Sequence, residues 1–525
     1  MKAFAALYAR LDQSTATGDK VAAMVEYFGS APPEDAAWAV HWLTGGRVKR
    51  LVRSTDLRQW LIEASALPEW LIDDTYAHVG DLAETITLLT QHDPAARAQD
   101  TSLAGFVATE LLPLAKLTPE AQGAVVRRWW QSFSDRERFV VNKLLTGGLR
   151  VGVSRLLVVQ ALAKLSGQPS DLIAHRLSGD FQPTAQAFAQ LIAPGDVAID
   201  ADKPYPFFLA SPLEQAPESL GSATEWLAEW KWDGIRAQLI VRGGVRLWSR
   251  GEERLDGRFP EIERAAAALP DGCVLDGEIL GWIGAAPLPF SRLQKRIGRL
   301  KPGAKTLADC PVVFMAYDLI EYQRADLRQR PLRERRQLLD SLVDASTLRL
   351  SEPVPNDGWP TLEAARNGAR DRGVEGLILK RWDSAYATGR RRGDWWKWKI
   401  APLTIDAVLI YAQAGHGRRA NLYTDYTFAL WHGDELVPVA KAYSGLNDEE
   451  IAKLDRWIRA HTLDRFGPVR SVEAFHVFEL AFEGVNRSTR HKSGIAVRFP
   501  RILRWRTDKP FQEADRLETL AKLAQ

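Results

Sequence analysis

Hydrophobic positions in the first 196 residues recur near a 3.6-residue period. Segments such as AQGAVVRRWWQSF and VSRLLVVQALAKL carry apolar stripes with few interior glycines, so this part is predicted to be an all-α domain. Ser154 stands before the second stripe, placed to cap it, because a serine hydroxyl satisfies free amides in a helix's first turn. Residues 195–218 contain several prolines and no helical period, which marks a connection. The runs then shorten. IRAQLIVR, GVRLWSR, CVLDGEIL, PVVFMAYDLI and VEGLILKRW read as strands, with helical patches at 261–269 and 361–370 between them. This pattern predicts an α/β (α+β) domain with an antiparallel tendency, ending near residue 400.

From residue 402 the pattern changes again. Strands are predicted near 404–411, 424–431, 435–442 and 471–481, and one amphipathic helix, NDEEIAKLDRWIRAHTL, lies among them. Its Asn447 cap and the acids of its first turn give it a defined start. Strands around a single helix suggest a small β-barrel of the OB-fold type. The expected organisation of the 525 residues is thus multidomain, divided at 1–196, 202–400 and 402–525.

Composition narrows the setting. At 46% hydrophobic the chain can build packed cores. Charges interrupt every long apolar segment, so no transmembrane span is expected. Arg10 and Asp12 break the first apolar stretch too early for a signal peptide. Two cysteines, Cys273 and Cys310, exclude a disulfide scaffold and a multi-cysteine zinc site. A reducing, cytoplasmic location is expected.

The net charge of +3 is too balanced to announce a nucleic-acid partner. Its distribution says more. The first 200 residues hold 19 Lys plus Arg against 22 Asp plus Glu, a balance of 19 − 22 = −3, which leaves +6 for residues 201–525. Between 490 and 509 seven Lys or Arg face one acid, interleaved with Phe499, Pro500 and Trp505. That mixture fits a surface held against a polyanion better than a plain solvated face. Two related stretches, LTGGRVKR (43–50) and LTGGLRVG (145–152), pair glycines with cations. Each reads equally as a phosphate-contacting turn or as a helix end followed by a turn.

The strongest local feature is Glu229-Trp230-Lys231-Trp232-Asp233-Gly234-Ile235-Arg236. Alone it is an ordinary polar turn. Asp276-Gly277-Glu278, Tyr317-Asp318, Glu375-Gly376-Leu377-Ile378-Leu379-Lys380 and Trp396-Lys397-Trp398-Lys399 also fall at predicted strand ends, where side chains reach a rim. The set supports phosphoryl-group handling. A lysine amine attacks an electrophile when nearby cations such as Arg236, Lys397 and Lys399 lower its pKa. Glu278 and Glu375 are hard oxygen ligands suited to magnesium. Phe314 can stack on a base, although a phenylalanine is more often core. GxxxxGK[ST], HExxH, CxxC and GxSxG are all absent, against a P-loop ATPase, a zinc protease and an α/β-hydrolase.

Together these residues resemble the covalent nucleotidyltransferases, specifically the ATP-dependent DNA ligases of the bacterial three-domain type. Six motifs match in order from Lys231 to Lys509. The resemblance implies ATP as the nucleotide, magnesium (or manganese) as the ion, and nicked double-stranded DNA as the partner. It also implies work in DNA repair, replication or recombination near the nucleoid, as a monomer, with a helicase or exonuclease associate conceivable. Lys231, in KxDG, would form the lysyl-AMP. Glu229 would position the adenine, and Arg236 and Arg250 would contact ribose and phosphate. Glu278 would contact ribose or metal, and Phe314 would stack on adenine. Glu375 would help place the ion, with Lys380 closing the same element, and Lys397 and Lys399 would contact the α-phosphate. Arg498, Arg501, Asp508 and Lys509 would orient the departing pyrophosphate. Arg150 and Ser154, in NKLLTGGLRVGVSRLLVVQALA, would contact the DNA backbone.

Two positions depart from the family pattern. GEERLDGRFPEI follows Arg250 where many relatives have Asn or Arg, and Tyr317 stands where Phe is usual. The alternatives are an RNA ligase or a GTP-using capping enzyme, which share the lysine chemistry, and a non-catalytic nucleic-acid-binding protein.

Overall fold

The protein's structure, a computed structural model, describes residues 1–48, 51–79, 81–91, 93, 101–147, 149, 151–179, 181–195, 203–343, 347–415, 422–466, 469–489 and 491–524. Among them every regular element from Lys2 to Ile192 is helical, and the first strand begins at Phe208. The chain forms two compact units. One comprises Met1–Gln13, Gly46–Val151 and Ala401–Gln525; the other comprises Ser14–Gly45 and Gly152–Ile400.

The unit of Gly152–Ile400 and Ser14–Gly45 carries the candidate chemistry. Its helix Arg155–Ser166 starts as expected: the Ser154 hydroxyl accepts the Leu157 N–H at 3.4 Å. The helix buries Val158, Val159 and Leu162 and packs on helix Thr17–Ser30. After it come β1 (Trp226–Trp230), β2 (Ile235–Val241), β3 (Val245–Ser249), β4 (Cys273–Ile283), β5 (Val312–Tyr322), β6 (Leu348–Leu350), β7 (Gly376–Arg381) and β8 (Trp395–Lys399). The larger sheet runs β6-β5-β4-β2-β3, antiparallel except where β6 meets β5. The smaller sheet runs β8-β7-β1, with Ser211–Pro212 added beside β8.

Side-chain parity in the larger sheet decides which residues can do chemistry. Because alternate residues of a strand face opposite ways, Ala237, Leu239, Leu275, Ile279, Phe314 and Ala316 share one face. They form a core with Ile262, Leu293 and Leu339. On the opposite face Ile240, Val274 and Ile320 pack with Phe208, Tyr386 and Trp395. Arg236, Asp276 and Glu278 belong to this second face by register. In β5 the pairing shifts between Gly277↔Ala316 and Asp276↔Asp318. Tyr317 is thereby left as the extra residue of a β-bulge, the kind of device that re-aims a side chain beside a site.

In the other unit, helix Asp135–Thr146 opens with a capping box between Ser134 and Glu137 and closes on Gly147 at φ 71°. In the unit that carries the candidate chemistry, helix Pro33–Leu43 ends at Thr44, so among the described residues each LTGG stretch begins as a helix end. The C-terminal strands are β9 (Leu403–Ala414), β10 (Tyr423–His432), β11 (Glu435–Ala442), β12 (Thr462–Phe466), β13 (Val469–Val472), β14 (Val477–Phe482), β15 (Gly484–Arg487), β16 (Ile495–Arg498) and β17 (Arg501–Arg506). They form a curled sheet in the order β11-β10-β9-β13-β12, with β14 between β9 and β17, and a ribbon of β15 and β16. Helix Asp448–Ala460, capped by Asn447 with Glu450 in a capping box, puts Leu454 and Ile458 into the core of this sheet. The single strand expected over 471–481 is two strands, because β13 and β14 pair with different stretches of β9.

Candidate active site

The site begins where β1 ends. The Lys231 N–H donates to the Gly376 carbonyl at 2.8 Å, and the Glu375 N–H donates back to the Lys231 carbonyl at 2.9 Å. This pairing sets the two side chains next to each other, and Lys231 Nζ forms a close ion pair with Glu375 Oε2. Lys399 lies opposite Gly376 in register, and its Nζ is 3.3 Å from the same oxygen. Gly376 permits the approach. Its φ is 129°, and a Cβ there would lie 2.4 Å from the Trp398 carbonyl oxygen. Burial alone would raise the Glu375 carboxyl; Lys231 and Lys399 outweigh it and hold the group below its ordinary range. Lys397, two residues earlier on β8, is lowered by burial and by Arg390, Lys399 and Lys231.

A second wall comes from the larger sheet. Asp276 accepts a bidentate pair from Arg236, Nη2 at 2.7 Å and Nε at 3.2 Å, and a 2.7 Å bond from the Tyr386 hydroxyl. Rings of Phe207, Tyr317 and Trp395 surround the guanidinium at 5.3, 5.7 and 5.9 Å. Burial would lower Arg236, but Asp276 raises it well above its ordinary value, so this cation is fixed in place and charge. Glu278 faces Arg236 across β2 and β4. Burial pushes its carboxyl up to about 8, against the opposing pull of Lys231 and Arg236. The site therefore holds one carboxylate kept low by its lysine partners and one raised by burial.

Beneath the turn lies a buried network that the sequence pattern did not reveal. Glu229, 2% exposed, holds Lys380 Nζ at 2.6 Å and Arg336 Nη1 at 2.8 Å. Lys380 also donates to the Tyr317 carbonyl at 3.1 Å and lies 4.3 Å from that ring's centre. Phe314 is not brought to this cluster. It is 0% exposed in the core of the opposite face, where no nucleotide base can reach it. The aromatic ring beside the site is Tyr317, which follows Met315 by alternation on the face of Glu278 and lies against Arg236.

Three family models match the chain: DNA ligase N terminus over residues 1–190, ATP dependent DNA ligase domain over 207–399, and ATP dependent DNA ligase C terminal region over 419–509. A probable DNA ligase of Koribacter versatilis is 34% identical over 95% of this chain and 92% of its own length. The chain belongs to the ATP-dependent DNA ligase family. It is an enzyme that seals nicks in DNA at the expense of ATP. A DNA ligase of Methanothrix thermoacetophila is 32% identical over 74% of this ligase and 71% of its own length. The solved structure Pmar-Lig_PreS3 shares the fold at a TM-score of 0.64 and 16% identity, over 96% of this chain and 99% of its own.

The remaining expected residues of the ligase are distributed as follows. Arg250 is exposed, and its N–H donates to the Arg236 carbonyl at 2.8 Å. Ser154 is exposed at its helix start; Arg150 lies outside the described residues. In the C-terminal region Arg501 donates to Glu483 at 3.2 Å, Asp508 accepts from Arg506 at 2.8 Å, and Lys509 meets Asp406 at 2.8 Å. Arg498 covers the ring of Phe499 at 5.2 Å. Asp406 and Arg336 were missed in the sequence. A buried charge in an apolar pattern signals the first, whereas RERRQ gives no sign that its fourth residue turns inward. No helix among the described residues is long and apolar enough to cross a membrane.

Proposed function

We propose that the ligase works through a lysyl-AMP on Lys231 and then a DNA-adenylate. The Lys231 amine attacks the α-phosphorus of ATP; the N–P bond forms as the bond to pyrophosphate breaks. AMP then passes to the 5′-phosphate at a nick, and the 3′-hydroxyl displaces it to join the strand. The observation carrying this reading is the Lys231–Glu375–Lys399 cluster, an amine tied to a carboxylate and flanked by a second cation at a strand-end rim.

Lys397 and Lys399 stabilise charge on the transferring phosphate. Arg236 and Arg250 hold ribose and phosphate, Glu229 sets the adenine end through the β1 backbone, and Tyr317 rather than Phe314 offers the aromatic face. Glu278 and Glu375 fit a magnesium ion, which typically takes one or two carboxylates plus substrate phosphates. When bound, that ion supplies neutralisation of phosphate charge. Arg498, Arg501, Asp508 and Lys509 orient the pyrophosphate, the C-terminal sheet serves as an OB-fold barrel, and the functional division is 1–196, 202–400 and 402–525. The Ser154 region contacts the DNA backbone. Ligation of a singly nicked duplex with ATP, NAD or neither tests the reading; sealing with NAD alone would overturn it.

A further inference from the structure

We infer that Arg336 is a positioning residue for Lys231, clamping the nucleophile's turn from both sides; this rests on the reading of Lys231 given above. Arg336, on helix Leu332–Leu342, is 4% exposed. Each of its three nitrogens serves a different partner. Nη1 donates to Glu229 Oε1 at 2.8 Å, Nη2 to the Ser351 carbonyl at 2.6 Å, and Nε to Asp340 Oδ1 at 2.7 Å.

The first two partners flank the nucleophile. Glu229 lies two residues before Lys231. Ser351, whose hydroxyl accepts the Trp232 indole N–H at 3.3 Å, holds the residue after it. The segment that follows Ser351 is stitched to β1, with the Val354 N–H on the Ala228 carbonyl at 2.8 Å and a bridge from Pro353 to Glu229. One planar guanidinium therefore fixes both approaches to the KxDG turn. An ammonium gathers its donors on one nitrogen and cannot span the separate positions that Nη1 and Nη2 hold in a fixed plane. Glu229 keeps Lys380 as a second cation, so replacing Arg336 with lysine loosens the turn without stranding a buried carboxylate.

The test compares two steps in Arg336→Lys and Ser351→Ala: single-turnover formation of lysyl-AMP, scaled to titrated active sites, and sealing of a pre-adenylated nick. Arg336→Lys is expected to slow lysyl-AMP formation about tenfold or more, because small misplacements of reacting groups are costly. Sealing of the pre-adenylated nick should stay within about twofold. Ser351→Ala, which removes only the hydroxyl, should move the first step in the same direction and less. Equal loss in both steps, or lysyl-AMP formation at the wild-type rate, would overturn the clamp. Should Arg336→Lys fail to fold, Ser351→Ala decides alone, and unaltered step rates there would overturn it. Mapping the wild-type adduct to a residue other than Lys231 would instead defeat the underlying reading.

Discussion

Replacing Gly234 with alanine adds one methyl group where the structure has no room. A Cβ there would lie 2.3 Å from the Ile279 carbonyl oxygen, 2.7 Å from Leu280 Cδ2 and 2.8 Å from Glu278 Cγ. Gly234 is not among the glycines at positive φ, so alanine suits its backbone and contact alone is tested. Ordinary contact begins at 3.4 Å, so the KxDG turn and β4 must separate by roughly 1 Å, an overpacking that costs about 1–3 kcal/mol. Against a typical stability of about 5–15 kcal/mol the variant still folds. Its chemistry fares worse: a misplacement of about 1 Å can cost about 100-fold in rate, and this one pushes Lys231 and Glu278 apart. Single-turnover lysyl-AMP formation from α-labelled ATP measures the rate, and thermal melting checks the fold. The expected result is a modestly lowered Tm with a rate lower by about two orders of magnitude. A folded variant reacting within about threefold of wild type would refute the reasoning.

Three further outcomes follow from the same geometry. Phe314→Leu should lower stability by about 1–3 kcal/mol through lost core packing and leave the ATP requirement unchanged, whereas Tyr317→Leu should raise it; ATP titrations of lysyl-AMP formation separate the two, and the opposite ranking would restore Phe314. Asp318→Asn should cost about 3–5 kcal/mol in urea denaturation, because Asp318 and Arg335 are both 0% exposed and joined at 2.8 and 2.9 Å; a near-neutral result would show that the arginine finds other partners. His175 is buried, and burial together with Arg328, Arg242 and Lys203 lowers its pKa to about 4. The unfolded ring takes its proton near pH 6.5, so the stability present above that pH, roughly 3 kcal/mol, is lost as pH falls toward 4. His175→Phe should flatten Tm between pH 7 and 4, and an unchanged slope would contradict this.

The period of the helices, the strand runs and the caps at Ser154 and Asn447 were legible because local chemistry sets them. So was the cluster of Lys231, Glu375 and Lys399, since strand ends bring such residues to a rim. Phe314 was misread because motif spacing does not say which face of β5 a residue takes: Phe314 pairs with Ile279 on the core face, and Tyr317, three residues on, falls by alternation on the face of Glu278. Arg336 was missed for a related reason. In RERRQLLD every cation looks solvated, and only packing against Asp318 and Glu229 shows that Arg335 and Arg336 are buried. The split of the expected strand 471–481 depends on two separate pairings with β9, which are long-range and leave no local trace.

The central claim is that Lys231 carries AMP between ATP and the nick. Incubation with α-labelled ATP, peptide mapping of the adduct, and a chase with nicked duplex address it directly. The account predicts a single adduct on Lys231, absent from Lys231→Ala and transferred to the nick's 5′-phosphate. Label on another residue, or label persisting in Lys231→Ala, would contradict it.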